Sequence, residues 1–135
     1  MGSFYVHVSS HQGLSLHPSN NDVNFITELK APLELIGSWE VGIASYKGST
    51  RSPDYLVCCD IIEMSRVGSD EFPVLRYILE STKKNLREYS PIQYIRLNRQ
   101  RIERICISLI HSDGTPVTSK PDTDTVFSLH FRQPL

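Results

Sequence analysis

The side chains able to do chemistry in this sequence are few, and their spacing suits chemistry poorly. Cys58 and Cys59 together with five histidines raise a nucleophile or metal-site hypothesis. Zinc sites favour ligands paired at short fixed separations, and the chain contains no Cys-x-x-Cys. His7 and His11 are the one pair at a ligand-like separation, but that spacing aligns ligands on a helix, and the residues around His7 read as strand. Buried, unreactive cysteines are the plainer reading, because a free cysteine packs as a small apolar side chain. The carboxylates Asp60 with Glu63, and Asp122 with Asp124, fall in loop-like sequence that supplies no frame for general acid–base geometry. Gly37 and Gly42 make no phosphate loop, and Gly42 is expected to permit a bulge or a close approach of backbone. No catalytic residue, metal ligand or cofactor is assigned.

Arg96, Arg99, Arg101 and Arg104 form the densest basic cluster. Four guanidiniums at this spacing suit a charged subunit contact or the phosphates of a nucleic acid, and the plainer alternative is a solvated turn with Glu103 as local partner. Tyr94 adds a stacking surface, but a single aromatic is no nucleic-acid platform. The whole chain has 14 Lys plus Arg against 15 Asp plus Glu, a net charge of -1, so no global field steers it to nucleic acid or to an anionic membrane. Trp39 is read as core in preference to an interface anchor. Tyr5, Tyr46, Tyr55 and Tyr77 are read as outward-facing, on surfaces suited to protein contact.

The elements that must position these residues are strands. Short runs rich in Val, Ile, Tyr and Phe alternate with clusters of Gly, Pro, Ser, Asn and Asp. The pattern predicts strands at 4–9, 24–29, 33–36, 39–46, 55–62, 74–79, 92–97, 104–111 and 125–132. Side chains leave a strand on alternate faces. That alternation selects Phe4, Val6, Val8, Trp39, Val41, Ile43, Ile105, Ile107, Leu109, Phe127, Leu129 and Phe131 as the candidate core. Glu80 to Tyr89 is polar and reads as an exposed loop or one helical turn, and Asn98 to Glu103 as a short charged turn. Asp113-Gly114 marks a hairpin, Pro18 to Asp22 a turn whose Asn and Asp side chains bond their own backbone, and Pro32 an edge or bend.

Many brief strands without helices bury their apolar faces only by closing a barrel or packing two sheets. The expected fold is all-β: an eight-stranded, jelly-roll-like two-sheet sandwich, one domain over residues 1–135. An immunoglobulin sandwich fits less well, because Trp39 precedes every cysteine. Three cysteines, two of them adjacent, argue against a disulfide framework and for a reducing intracellular compartment. No apolar run is long enough to span a bilayer, the N-terminal residues lack a secretory pattern, and Gly2 is followed by strand-like residues in place of a myristoylation motif.

Pro18-Ser19-Asn20-Asn21, Phe25 to Leu29, Pro32 to Leu35, Gly37 and Trp39-Glu40-Val41-Gly42-Ile43 resemble the opening of structural proteins encoded by Polinton or Maverick elements and adintovirus-like genomes. Ile105 to Ile110, the turn from Ser112 to Val117, and Phe127 to Arg132 are similar to the same family at its far end. The chain departs from the family pattern in being short. The resemblance implies a jelly roll of the minor capsid or penton kind, or a domesticated descendant. Its implied partners are further copies of the chain, in a trimer or pentamer, and other capsid-type proteins; its implied location is a virion or virus-like particle. The competing expectation is a monomeric sandwich that binds a peptide or sugar through the loops Pro18 to Asp22, Ser49 to Asp54 and Glu80 to Tyr89.

Overall fold

A computed structural model describes residues 2–48, 54–79, 86–120 and 122–134. Among these residues the chain forms β1 (Ser3–Ser9), β2 (Asn24–Glu34), β3 (Glu40–Lys47), β4 (Tyr55–Cys59), β5 (Ser65–Val67), β6 (Asp70–Phe72), β7 (Val74–Ile78), β8 (Leu86–Glu88), β9 (Ile95–Arg96), β10 (Arg101–Ile110) and β11 (Val126–Arg132), with no helix. One sheet runs β1-β11-β3-β8, with β9 also on β3, and the other runs β2-β10-β4-β7; β5 and β6 make a separate hairpin. All these pairings are antiparallel.

The order of pairing defines the architecture. With the small β5–β6 hairpin and β9 set aside, the first strand pairs with the last (β1 with β11) and the second with the second-last (β2 with β10). β3 then pairs with β8, and β4 with β7. This is one long antiparallel hairpin wrapped so that its strands are dealt between two facing sheets, which is the eight-stranded jelly roll.

The core lies between the sheets. Val8, Val41, Ile43, Ile105, Ile107, Leu109, Phe127, Leu129 and Phe131 are all buried, while Phe4, Val6 and Trp39 pack against them partly exposed. Each such side chain withdrawn from water contributes about 1.5–3 kcal/mol. Phe127 joins the layers: its ring stacks on Tyr46 of its own sheet at 4.6 Å and on Phe25 of the other at 6.4 Å.

Two one-residue irregularities change which side chains face inward. β11 pairs Ser128 with Ser45 but Leu129 with Ile43, so Ala44 is an extra residue in β3. The extra residue reverses the alternation and turns Tyr46 into the core, where it is fully buried. In the other sheet Val57 pairs with Arg76 but Cys58 with Val74, which makes Leu75 the extra residue of β7. Tyr55 is buried too, because every residue of β4 is covered. The outward placement of Tyr46 and Tyr55 expected from simple alternation is therefore corrected, whereas Tyr5 and Tyr77 are 58% and 43% exposed.

Strand limits move for identifiable reasons. The expected strands 24–29 and 33–36 are one strand, β2, interrupted in its pairing where Leu29–Pro32 loop away from Glu103 between the pairs Arg104–Glu28 and Ile102–Leu33. Pro32 is tolerated because β2 is an edge strand. Asn98 to Glu103 is not a turn throughout, since β10 begins at Arg101. Of the polar stretch 80–89, residues 86–88 are a strand on β3 and Arg87 is buried, contrary to an exposed loop. Of the run 92–97, only Ile95 and Arg96 form a strand, on β3, and Leu97 makes an isolated antiparallel bridge to Ile62. Gly42 admits a close approach: a Cβ there would overlap the Gln93 carbonyl and the Ile92 side chain.

The turns hold the layers in place. Asn20 pairs with the backbone of Ile26 in both directions, donating to its oxygen at 2.9 Å and accepting from its nitrogen at 3.0 Å, so one side chain imitates a strand neighbour. Asn21 Oδ1 accepts from the amides of Val23 and Asn24. At the Asp113–Gly114 turn, Gly114 adopts φ +90°, and the amide of His111 donates to the Thr115 carbonyl.

Candidate functional site

β1 is an edge strand of its sheet, and among the described residues no strand pairs with its outer side. Its seven residues pair with β11 in unbroken register from Ser3–Arg132 to Ser9–Val126. The segment carries no proline, lysine or bulge, the usual devices that stop a sheet edge from recruiting another chain. The other edges carry such devices. β2 has Lys30, Pro32 and its looped-out segment, β7 has its bulge, and β8 and β9 are three and two residues long.

Beside this edge, the outer face of the sheet carries aromatic and imidazole rings. Tyr5 packs on His130 with ring centroids 4.6 Å apart, and the Tyr94 hydroxyl lies 2.6 Å from His130 Nδ1. The Arg132 guanidinium covers the Tyr94 ring at 3.5 Å and donates to Glu40 Oε1 at 2.7 Å. His7 Nδ1 lies 2.7 Å from the Ser128 hydroxyl. These contacts link the rings to one another and to the strands that carry them. Small residues between the strands, Ala44, Ser45 and Ser128, leave a shallow depression of about 430 Å³, bordered by Tyr5 and by Leu86, which is 50% exposed.

The four arginines do not merge into one patch. Arg96 and Arg99 flank a notch of about 220 Å³ beside Trp39, and Arg99 donates to the Asp60 carbonyl at 2.9 Å. Arg101 pairs with Glu34 and Glu103, and Arg104 with Glu28 at 3.1 Å. Trp39 donates from its indole to the Ile36 carbonyl and lies 5.5 Å from the Phe4 ring.

The other sequence candidates serve the fold. Cys58 and Cys59 are buried and Cys106 is half-buried; burial pushes the Cys58 thiol up to about 11 and raises Cys59 and Cys106 as well. Asp60 accepts from the Cys106 amide at 2.9 Å. Asp124 accepts from the Ser9 and Ser10 hydroxyls and the His11 amide, tying the end of β1 to the approach to β11. Among the described residues no group of three or more His, Cys, Asp or Glu is placed to hold a metal ion, and no helix is long and apolar enough to cross a membrane. Of the loops considered for ligand binding, residues 49–53 and 80–85 lie outside the described residues. The edge character of β1 escaped the sequence reading, because edge position depends on long-range pairing; the lack of Lys and Pro in 3–9 was the available signal. No family model, curated protein or solved structure matches the chain.

Proposed function

We infer that this chain is a non-enzymatic assembly protein whose jelly roll associates with further copies of itself through β1 and the aromatic face beside it. The observation that carries this reading is the long, regular, undefended edge from Ser3 to Ser9. Unpaired backbone groups along such an edge are a template for an added strand, and a second copy supplies one without any new element. Tyr5, at 58% exposure, and the ordered His130–Tyr94 pair add the kind of surface enriched in protein contacts. A trimer or pentamer closes when the β1 edge of each copy meets a different surface of the next, a head-to-tail contact that satisfies every copy of the edge without open-ended growth. A virus-like role of the minor capsid or penton kind belongs to the same proposal and rests on the sequence resemblance.

The test places charge on the edge. Tyr5 and His7 both point to solvent, so Tyr5→Lys with His7→Lys leaves the core untouched. The double variant is expected to sediment as a monomer with an unchanged near-ultraviolet circular dichroism spectrum, while the parent sediments as a single larger species. Identical sedimentation of the two proteins would remove β1 from any role in assembly. A monomeric parent with a saturable peptide or sugar ligand would favour the binding-module reading instead.

A further inference from the structure

On the side of the sandwich opposite β1, the Arg87 guanidinium is enclosed and that of Arg76 partly so, and among the described residues neither has an ion-pair partner. Arg87 is 6% exposed, and its Nε, Nη1 and Nη2 are all buried with no hydrogen-bond partner; Nη1 of Arg76 is in the same condition. Arginine remains charged at every pH a folded protein meets. A buried, uncompensated charge is among the least favourable things a fold can hold, so such a group calls for an explanation.

The local structure explains how both arginines come to face the same space. Arg87 of β8 stands opposite Tyr46 in the register, and Tyr46 faces inward because of the extra Ala44. Arg76 of β7 stands opposite Val57, a core residue, at the bulge made by Leu75. The two side chains therefore enter from opposite sheets. Around them are rings: the Arg87 guanidinium lies 5.1 Å from the Tyr46 ring centroid, and that of Arg76 lies 3.8 Å from the Tyr89 centroid. The Tyr55 hydroxyl donates to that of Tyr46 at 3.3 Å. Ring faces attract a cation but occupy none of its N–H donors. Burial, reinforced by Tyr46, raises the Tyr55 pKa, so this hydroxyl stays neutral and brings no negative charge. No ion pair recorded among the described residues involves Arg76 or Arg87.

We propose that Arg87 and Arg76 form a binding site for a small tetrahedral oxyanion of the phosphate class between β7 and β8. Two planar forks arriving from facing sheets match an acceptor that presents oxygens in three dimensions, whereas a carboxylate offers two oxygens in one plane. A dianion neutralises both cations at once. The site is independent of the assembly edge, since β8 and β1 lie on opposite sides of their sheet.

The experiment titrates the intact protein with inorganic phosphate against chloride at constant ionic strength. It reads the melting temperature together with the phosphorus-31 linewidth of the anion. Phosphate at about a hundredfold excess over Kd is expected to raise Tm by roughly 5–10 °C, with acetate having little effect. Phosphoserine in place of inorganic phosphate reports whether the anion is taken free or as a group on a larger molecule; either result is consistent with the phosphate class. Arg87→Met, which fills the same space without charge, is expected to lose the phosphate response and to be at least as stable as the parent in chloride. Arg76→Gln provides a second variant with a weakened response. An unchanged Tm and linewidth in the parent, an equal effect of acetate, or a full phosphate response in Arg87→Met would overturn the proposal.

Discussion

Tyr46 lies flat on Phe127, ring centroids 4.6 Å apart and planes within 12°, because β3 carries one residue more than the strand it pairs with. The same extra residue brings the Tyr46 hydroxyl to that of Tyr55 across the two sheets. Tyr46→Phe keeps the stack and removes one buried hydrogen bond, an expected cost of about 0.5–1.5 kcal/mol. Tyr46→Ala empties the site and is expected to cost about 3–5 kcal/mol. Urea unfolding midpoints check both; equal losses for the two variants would mean that the ring stack contributes nothing.

Gly42 is required by proximity. Its Cβ would occupy the space of the Gln93 carbonyl and the Ile92 side chain, both on the segment leading to β9. Gly42→Ala is expected to destabilise by about 1–3 kcal/mol, the usual cost of overpacking a rigid interior. Calorimetry measures it, and the amide shifts of residues 92–96 should move with it.

The three thiols are expected to be poor nucleophiles in the folded protein. Burial raises each pKa, so little thiolate exists at pH 8. Ellman's reagent should label Cys106 before Cys58 and Cys59, and all three should react at once in denaturant. Rapid labelling of Cys59 in the native protein would contradict the packing of β4.

Glu28 gives the fold an acid-side pH dependence. Its hydrogen bond to His17, at 2.9 Å, and the Arg104 guanidinium beside it hold its carboxyl below the ordinary carboxylate range. A depressed folded pKa stabilises the protein above the pKa of the unfolded chain, and that contribution is lost as pH falls through the folded value. Parent and Glu28→Gln should therefore differ in Tm near neutrality and converge in acid. A gap that widens on acidification would carry the wrong sign.

The sequence exposed those parts of the fold that repeat with period two and left hidden those that break it. β1 and β11 alternate cleanly, so Val8, Phe127, Leu129 and Phe131 could be assigned to the interior without coordinates. Ala44 is an ordinary small residue in an ordinary strand, and only the register against β11 reveals that it is supernumerary. Simple alternation therefore puts Tyr46 on the outer face, whereas it is fully buried. β8 escaped because its one inward side chain is an arginine, which hydrophobic periodicity reads as solvent-facing. The arginine run at 96–104 is visible as a cluster, but Arg96 lies on β9 of one sheet, Arg99 on the link, and Arg101 and Arg104 on β10 of the other sheet, where they pair with Glu34 and Glu28.

Assembly through the β1 edge is tested most directly by multi-angle light scattering of the unmodified chain at high micromolar concentration. The account predicts one discrete species with the mass of a small closed ring, three or five copies, dissociating on dilution or on charging Tyr5 and His7. A single-chain mass that persists across the whole concentration range would contradict it.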